Sequence, residues 1–173
     1  MLVAALGSLF TTPQTVHAAN DFSFQPVREV AILFAGIFAT MMPALDWLQL
    51  NAPALLGNHP SPGIFFWGTG VLSSALDNAP TYLGFLHALF GVTGTKEVPE
   101  VLNQNPIGLT AVGVGAVFFG AATYIGNGPN FMIKAIAGGQ KIRVPPFLEY
   151  VWQFTLPFLL PMLLAVWLLF FRR

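Results

Sequence analysis

Cysteine is absent from this chain and charge is scarce. The 173 residues include no Cys, and Asp, Glu, Lys and Arg make up only 8% of them. Without a thiol there is no disulfide framework, no cysteine nucleophile and no Cys-based metal site. Soluble domains carry about 25% charged residues, so a water-facing surface of ordinary polarity is excluded. Basic and acidic residues balance at seven each, which offers nothing to nucleic acid or to an acidic partner. The histidines, His17, His59 and His87, are too far apart for a metal-ligand spacing. No Gly-Lys-Ser/Thr phosphate loop occurs.

What the chain does contain is apolar residues, at 55%, with 17 Gly and 14 Pro. In a soluble protein that much Gly and Pro marks loops, whereas in a membrane protein both occur inside helices, above all in broken ones. The composition therefore predicts an all-α integral membrane protein whose first partner is the lipid bilayer.

Apolar runs mark out the helices. Residues 30–50, "VAILFAGIFATMMPALDWLQL", carry one charge, Asp46; they are long enough to span ~30 Å of hydrocarbon. Pro43 is expected to kink this span, and Trp47 to sit at the interface with Asp46. A loop is expected at 51–61. Residues 106–125, "PIGLTAVGVGAVFFGAATYI", are uncharged, and a last span covers 147–171, with Glu149 at headgroup level. The opening "MLVAALGSLF" is too short to cross. It reads as the tail of a helix (1–19 with its loop) or as a signal peptide cut near Val16-His17-Ala18, although it lacks the positive n-region of such peptides.

Two polar interruptions lie deep in apolar sequence. The first is "SSALDNAPT", residues 73–81, within the apolar segment 62–90; the second is residues 123–130, ending in "GNGPN" (126–130). The arms on either side of the first have roughly twelve residues each, about 18 Å as helix, which reaches the bilayer midplane without crossing. The segment is therefore either a re-entrant hairpin or a spanning helix broken at its centre. Pro129 and its Gly and Asn neighbours stop regular helix at the second interruption. The short helix "FMIKAIA" and a basic loop with Lys134, Lys141 and Arg143 follow. In either topology the basic residues divide four to three between the two faces, too evenly for the positive-inside rule to orient the chain.

Unpaired backbone in hydrocarbon costs several kcal/mol, so such breaks survive only in protein or beside a watery cavity. A half-helix N-terminus offers donors to an anion. Unwound carbonyls offer acceptors to a cation, and two such breaks can frame one ion site. Asp77 is the key residue, because a mid-membrane carboxylate usually binds an ion or a proton. Asn78, Asn127 and Asn130 add carboxamides, and Ser73, Ser74, Thr81 and Thr123 add hydroxyls. Asp77, Asn78 and Asn127 are the expected Na⁺ ligands. The plainer alternative is that Asp77 and Asn78 cap the second half-helix, and that "GNGPN" is a loop at the membrane edge. An intramembrane aspartyl enzyme using Asp46 and Asp77 has no supporting Ser or His constellation, so no enzyme is expected.

The stretches "LSSALDNAPTYLGF" and "GAATYIGNGPNFMIKAIA", with "REVAILFAGIFATMMPAL" before them, resemble the C-terminal half of the ion transporter superfamily. The resemblance is to its citrate-transporter group, related to bacterial sodium–proton antiporters. It covers residues 20–171 and implies a bacterial inner-membrane protein. Segment 62–90 would be a re-entrant hairpin on the extracytoplasmic face, 106–137 a broken helix, and 30–50 and 147–171 flanking spans. Together they would make one of two inverted repeats. The partner would then be a missing N-terminal repeat, a separate half or an opposed copy of this chain. Dicarboxylate symporters of the superfamily carry Ser-Asn-Thr at the hairpin tip, where this chain has Asp77-Asn78-Ala79. A carboxylate there repels an anion unless a cation intervenes, which fits Na⁺ and H⁺ in competition. The expected function is secondary transport, as sodium–proton antiport or as cation-coupled symport of a carboxylate such as citrate. Na⁺ and H⁺ are then the coupling ions, with no cofactor. A non-transporting membrane assembly subunit is the rival of another class.

Overall fold

A computed structural model describes residues 2–16, 25–139 and 142–172. His17 and Ala18 of the cleavage candidate, and Lys141 and Arg173 of the basic set, lie outside them. All regular structure among the described residues is helical. The chain divides into two compact units, Met1–Ala39 and Thr40–Arg173.

The first unit contains α1, Leu2–Thr11. Its C-terminal hydroxyls turn back onto its own carbonyls, Thr11 Oγ1 to Gly7 at 2.8 Å and Thr12 Oγ1 to Ser8 at 2.6 Å. Val3 and Phe10 are almost fully exposed. Helix α2, Gln25–Leu56, begins here and ends in the second unit. It continues through Pro43 and on through Pro53, so the loop expected from residue 51 begins only after Leu56.

The second unit holds the rest. Helix α3 is Pro62–Ser73 and α4 is Asn78–Thr93. Helices α5, Val98–Gln104, and α6, Pro106–Phe119, follow, and α7 is Gly128–Gly139. The last helix, α8, runs unbroken from Phe147 to Phe171 and is long and apolar enough to cross a membrane. Over Val151–Leu159 and again over Trp167–Phe171 it widens into π-helix, with Leu160 N–H bonding the Thr155 carbonyl five residues back. Pro157 lies inside the first wide stretch, where the helix lacks a donor.

Helices α3 and α4 fold back on one another as a hairpin. Gly68 of α3 lies under the Phe85 ring of α4, close enough that a Cβ on Gly68 would stand 2.9 Å from it. A continuous helix would hold those residues about 25 Å apart. Glycines with positive φ end two of the helices, Gly57 (83°) after α2 and Gly94 (68°) after α4, a backbone state that costs glycine little.

Helix α6 lies against both arms of the hairpin. Phe65, Phe66, Leu89, Val101, Ala111, Val112 and Leu163 are all at most 1% exposed and form the core with Phe119 and Phe171. Phe66 meets Phe119 edge-on at 5.3 Å and stacks on Phe171 at 5.0 Å. Close backbone approach needs small residues, as for Gly115 of α6, where a Cβ would stand 2.7 Å from the Phe66 carbonyl. At Gly91 a Cβ would run into the Gln49 carbonyl, so α4 sits tightly on the end of α2. Such small-residue contacts are the usual means of helix association in lipid.

Candidate functional site

The hairpin tip is a four-residue turn. After Ser73 the chain tightens, with Ala75 and Leu76 both donating to the Leu72 carbonyl (3.1 and 2.9 Å). Asp77 is extended (φ −65°, ψ 148°) and caps α4, its Oδ1 accepting from Asn78 N–H at 2.9 Å. Thr81 Oγ1 donates to the Asp77 carbonyl at 3.0 Å. Pro80 falls in the first turn of α4, where a missing donor costs nothing.

The second break runs from Gly120 to Asn127, between α6 and α7. It lies against the hairpin tip. Thr123 Oγ1 donates to the Ser74 carbonyl at 2.6 Å while accepting from Ile125 and Gly126 N–H, both at 3.1 Å. A Cβ on Gly126 would collide with the Ser73 carbonyl and stand 2.9 Å from that of Ser74.

Ser73 and Asn78 complete the junction. Ser73, wholly buried, donates its hydroxyl to the Ala116 carbonyl at 2.6 Å. One arm of the Asn78 carboxamide faces three acceptors, Ser73 Oγ (2.8 Å), the Ala116 carbonyl (3.0 Å) and the Gly126 carbonyl (3.1 Å). Only the amide nitrogen satisfies those contacts, so that arm is Nδ2. Gly120 leaves the space the carboxamide occupies, since a Cβ there would overlap it. In this orientation Asn78 Oδ1 makes no hydrogen bond among the described residues.

Three successive carbonyls of the unwound stretch are each met by a side chain. Asn130 Nδ2 reaches Gly120 O at 3.5 Å, Tyr150 Oη donates to Ala121 O at 3.2 Å, and Thr155 Oγ1 donates to Ala122 O at 2.5 Å. Backbone acceptors freed by an unwound stretch of an apolar protein gain from such partners. The Tyr124 ring packs edge-on against Phe147 and Tyr150, and the Lys134 ammonium stands over it, 3.6 Å from the centroid.

Of the residues singled out from sequence, Ser73, Ser74, Asn78, Thr123 and Asn130 thus meet at one junction. Several do so by atoms other than those expected. Ser74 contributes its carbonyl, because its hydroxyl is spent on Val71 O at 2.7 Å. Thr81 spends its hydroxyl on Asp77 O and also lines an apolar cavity of about 440 Å³ between α2 and the hairpin. Asn127 accepts from Asn130 N–H through its carbonyl at 3.0 Å. Asp77 stands at the rim, half-buried, while Asp46 is exposed on α2. Sequence reading missed Tyr150 and Thr155. Their signal was present, as two hydroxyls five residues apart in an apolar run, the spacing that a π turn aligns. No cluster of three His, Asp or Glu suited to a metal exists among the described residues.

A family model described as "Putative citrate transport" matches residues 1–171. No curated protein and no solved structure matches the chain.

Proposed function

The chain belongs to this citrate-transport family over residues 1–171, and from that premise we propose that it acts in secondary transport by alternating access. Asp77 binds Na⁺ and H⁺ in exchange, which makes the activity sodium–proton antiport. The observation that carries this reading is the orientation of Asn78. Its nitrogen is consumed by protein carbonyls, so the end left free is Oδ1, next to the Asp77 carboxylate in sequence. Carboxylate and carboxamide oxygens are ligands for a hard cation, whereas an anion would need donors.

The hairpin re-enters the bilayer from the extracytoplasmic side, and its tip meets the second break near the midplane. A carboxylate at that depth costs about 2.5–3.5 kcal/mol on insertion scales, which a bound cation or proton offsets. A second half completes the pathway, either an inverted repeat or an opposed copy of the chain, in a bacterial inner membrane. A single hairpin and a single broken helix make only one of the two repeats on which alternating access relies.

The test is sodium-driven proton flux in proteoliposomes of the full assembly, this chain with its second half, wild type against Asp77→Asn. The expected result is flux in the wild type and its loss in the variant. Equal flux in both would overturn the role of Asp77.

The family description favours a second reading, cation-coupled symport of a carboxylate such as citrate. It shares the cation site at Asp77 and differs in requiring a separate place for the anion.

A further inference from the structure

Lys134 stands apart from the junction described above. Its ammonium lies over the Tyr124 ring, 3.6 Å from the centroid. It also lines a cavity of about 200 Å³ together with Asn130, Tyr150 and Ile133. No carboxylate among the described residues pairs with it. Glu149, its nearest acidic neighbour in sequence, is bonded to Gln153 at 2.9 Å. A ring face attracts an ammonium but accepts no conventional hydrogen bond, so the three N–H donors of Lys134 stay available to an acceptor in the cavity.

We propose that this cavity is a carboxylate-binding site, with Lys134 as the charge partner of a small di- or tricarboxylate and Asn130 beside it as a neutral donor. The proposal rests on the symport reading and deepens it by separating the two ions. The cation sits by Asp77 at the hairpin tip, and the anion sits by Lys134, over Tyr124 of the second break. That separation lessens the repulsion between the Asp77 carboxylate and an anionic substrate. Asn130 connects the two places, because its Nδ2 bonds Gly120 O and a Cβ on Gly120 would overlap the Asn78 amide. The bond is long, 3.5 Å, so little is lost when the amide turns toward a ligand. The cavity is smaller than the ~300–1,000 Å³ of drug-sized sites, which suits a small organic acid. Helix α7 begins at Gly128, so Asn130 lies in its first turn, where the dipole also favours an anion.

The experiment is equilibrium binding of labelled citrate to the chain in nanodiscs of zwitterionic lipid, at matched sodium. Saturable binding is expected. Lys134→Gln should weaken it by about tenfold or more, the loss that follows removal of a charge-assisted hydrogen bond. Lys134→Arg should retain saturable binding, because the charge remains and a guanidinium also pairs with carboxylates, and so serves as the folding control. Three results would each overturn the site: no citrate binding by the wild type, equal binding by Lys134→Gln, or displacement of citrate by an equal concentration of inorganic phosphate. The last would mark a general anion or lipid-headgroup contact. Asp77→Asn separates this proposal from the reading it rests on. Citrate binding that needs Lys134 but ignores both sodium and Asp77 sustains the anion site and removes the cation coupling.

Discussion

The Thr123 hydroxyl donates to the carbonyl of Ser74, 49 residues earlier, at 2.6 Å. That bond ties the unwound stretch after α6 to the tip of the hairpin. The same oxygen accepts from the N–H groups of Ile125 and Gly126, so one side chain serves one carbonyl and two amides.

Replacing Thr123 by Val keeps its shape and leaves those groups unpaired. A buried unsatisfied group costs about 1–3 kcal/mol, so a loss on the order of 2–4 kcal/mol is expected. Thr123→Ser should stay near wild type. Thermal unfolding in detergent measures both, and a Val variant that melts with the wild type would refute the role assigned to the hydroxyl.

Gly126→Ala places a methyl against the Ser73 and Ser74 carbonyls. Forcing them apart should cost roughly 1–3 kcal/mol, as overpacking does elsewhere. It should also abolish transport while the helices still insert. The contrast is Gly113→Ala, where a Cβ meets nothing within 4 Å. Transport by the two variants should differ sharply, and equal activity would contradict the close packing at Gly126.

Asn78→Asp turns a donating arm into an acceptor facing the Ser73 hydroxyl and the Ala116 and Gly126 carbonyls. It should be more damaging than Asn78→Ala, since it adds repulsion and buried charge to the lost bonds. Relative folding yield in membranes reads this directly. The reverse order would mean that the carboxamide oxygen, not the nitrogen, faces the carbonyls.

Tyr150→Phe and Thr155→Val each release one carbonyl of the break, Ala121 and Ala122 respectively. Each should cost about 1 kcal/mol. The double variant should lose more than the sum, because the two bonds brace the same short segment. Amide exchange at residues 121–126 should quicken in both single variants, while exchange in α3 stays as in the wild type.

The two breaks were legible because Gly, Asn, Asp and Pro cannot hide in an apolar run. Residues 73–81 and 123–130 announce non-helical backbone by composition alone, and the structure opens the second slightly earlier, at Gly120. The helix α2 was harder. Pro43 and Pro53 suggest a kink and an end, yet the helix runs through both to Leu56. Local propensity is a weak guide there, since neighbouring structure can absorb the lost donors. Periodicity could not tell two arms folded back on one another from one continuous helix; the contact of Gly68 with Phe85 shows the fold-back. Least legible was the division of labour within the site. Ser74 acts through its backbone and Ser73 through its hydroxyl, and no sequence pattern distinguishes two adjacent serines.

The cross-ties between tip and break have a mechanical meaning. Ser73, Asn78 and Thr123 bind the hairpin to α6 and to the unwound stretch at several points, in a junction with no spare volume at Gly120 or Gly126. The tip therefore cannot swing aside like a door while the second break stays in place. Under the proposed alternating access, hairpin, α6 and the break would therefore travel together, as a single block.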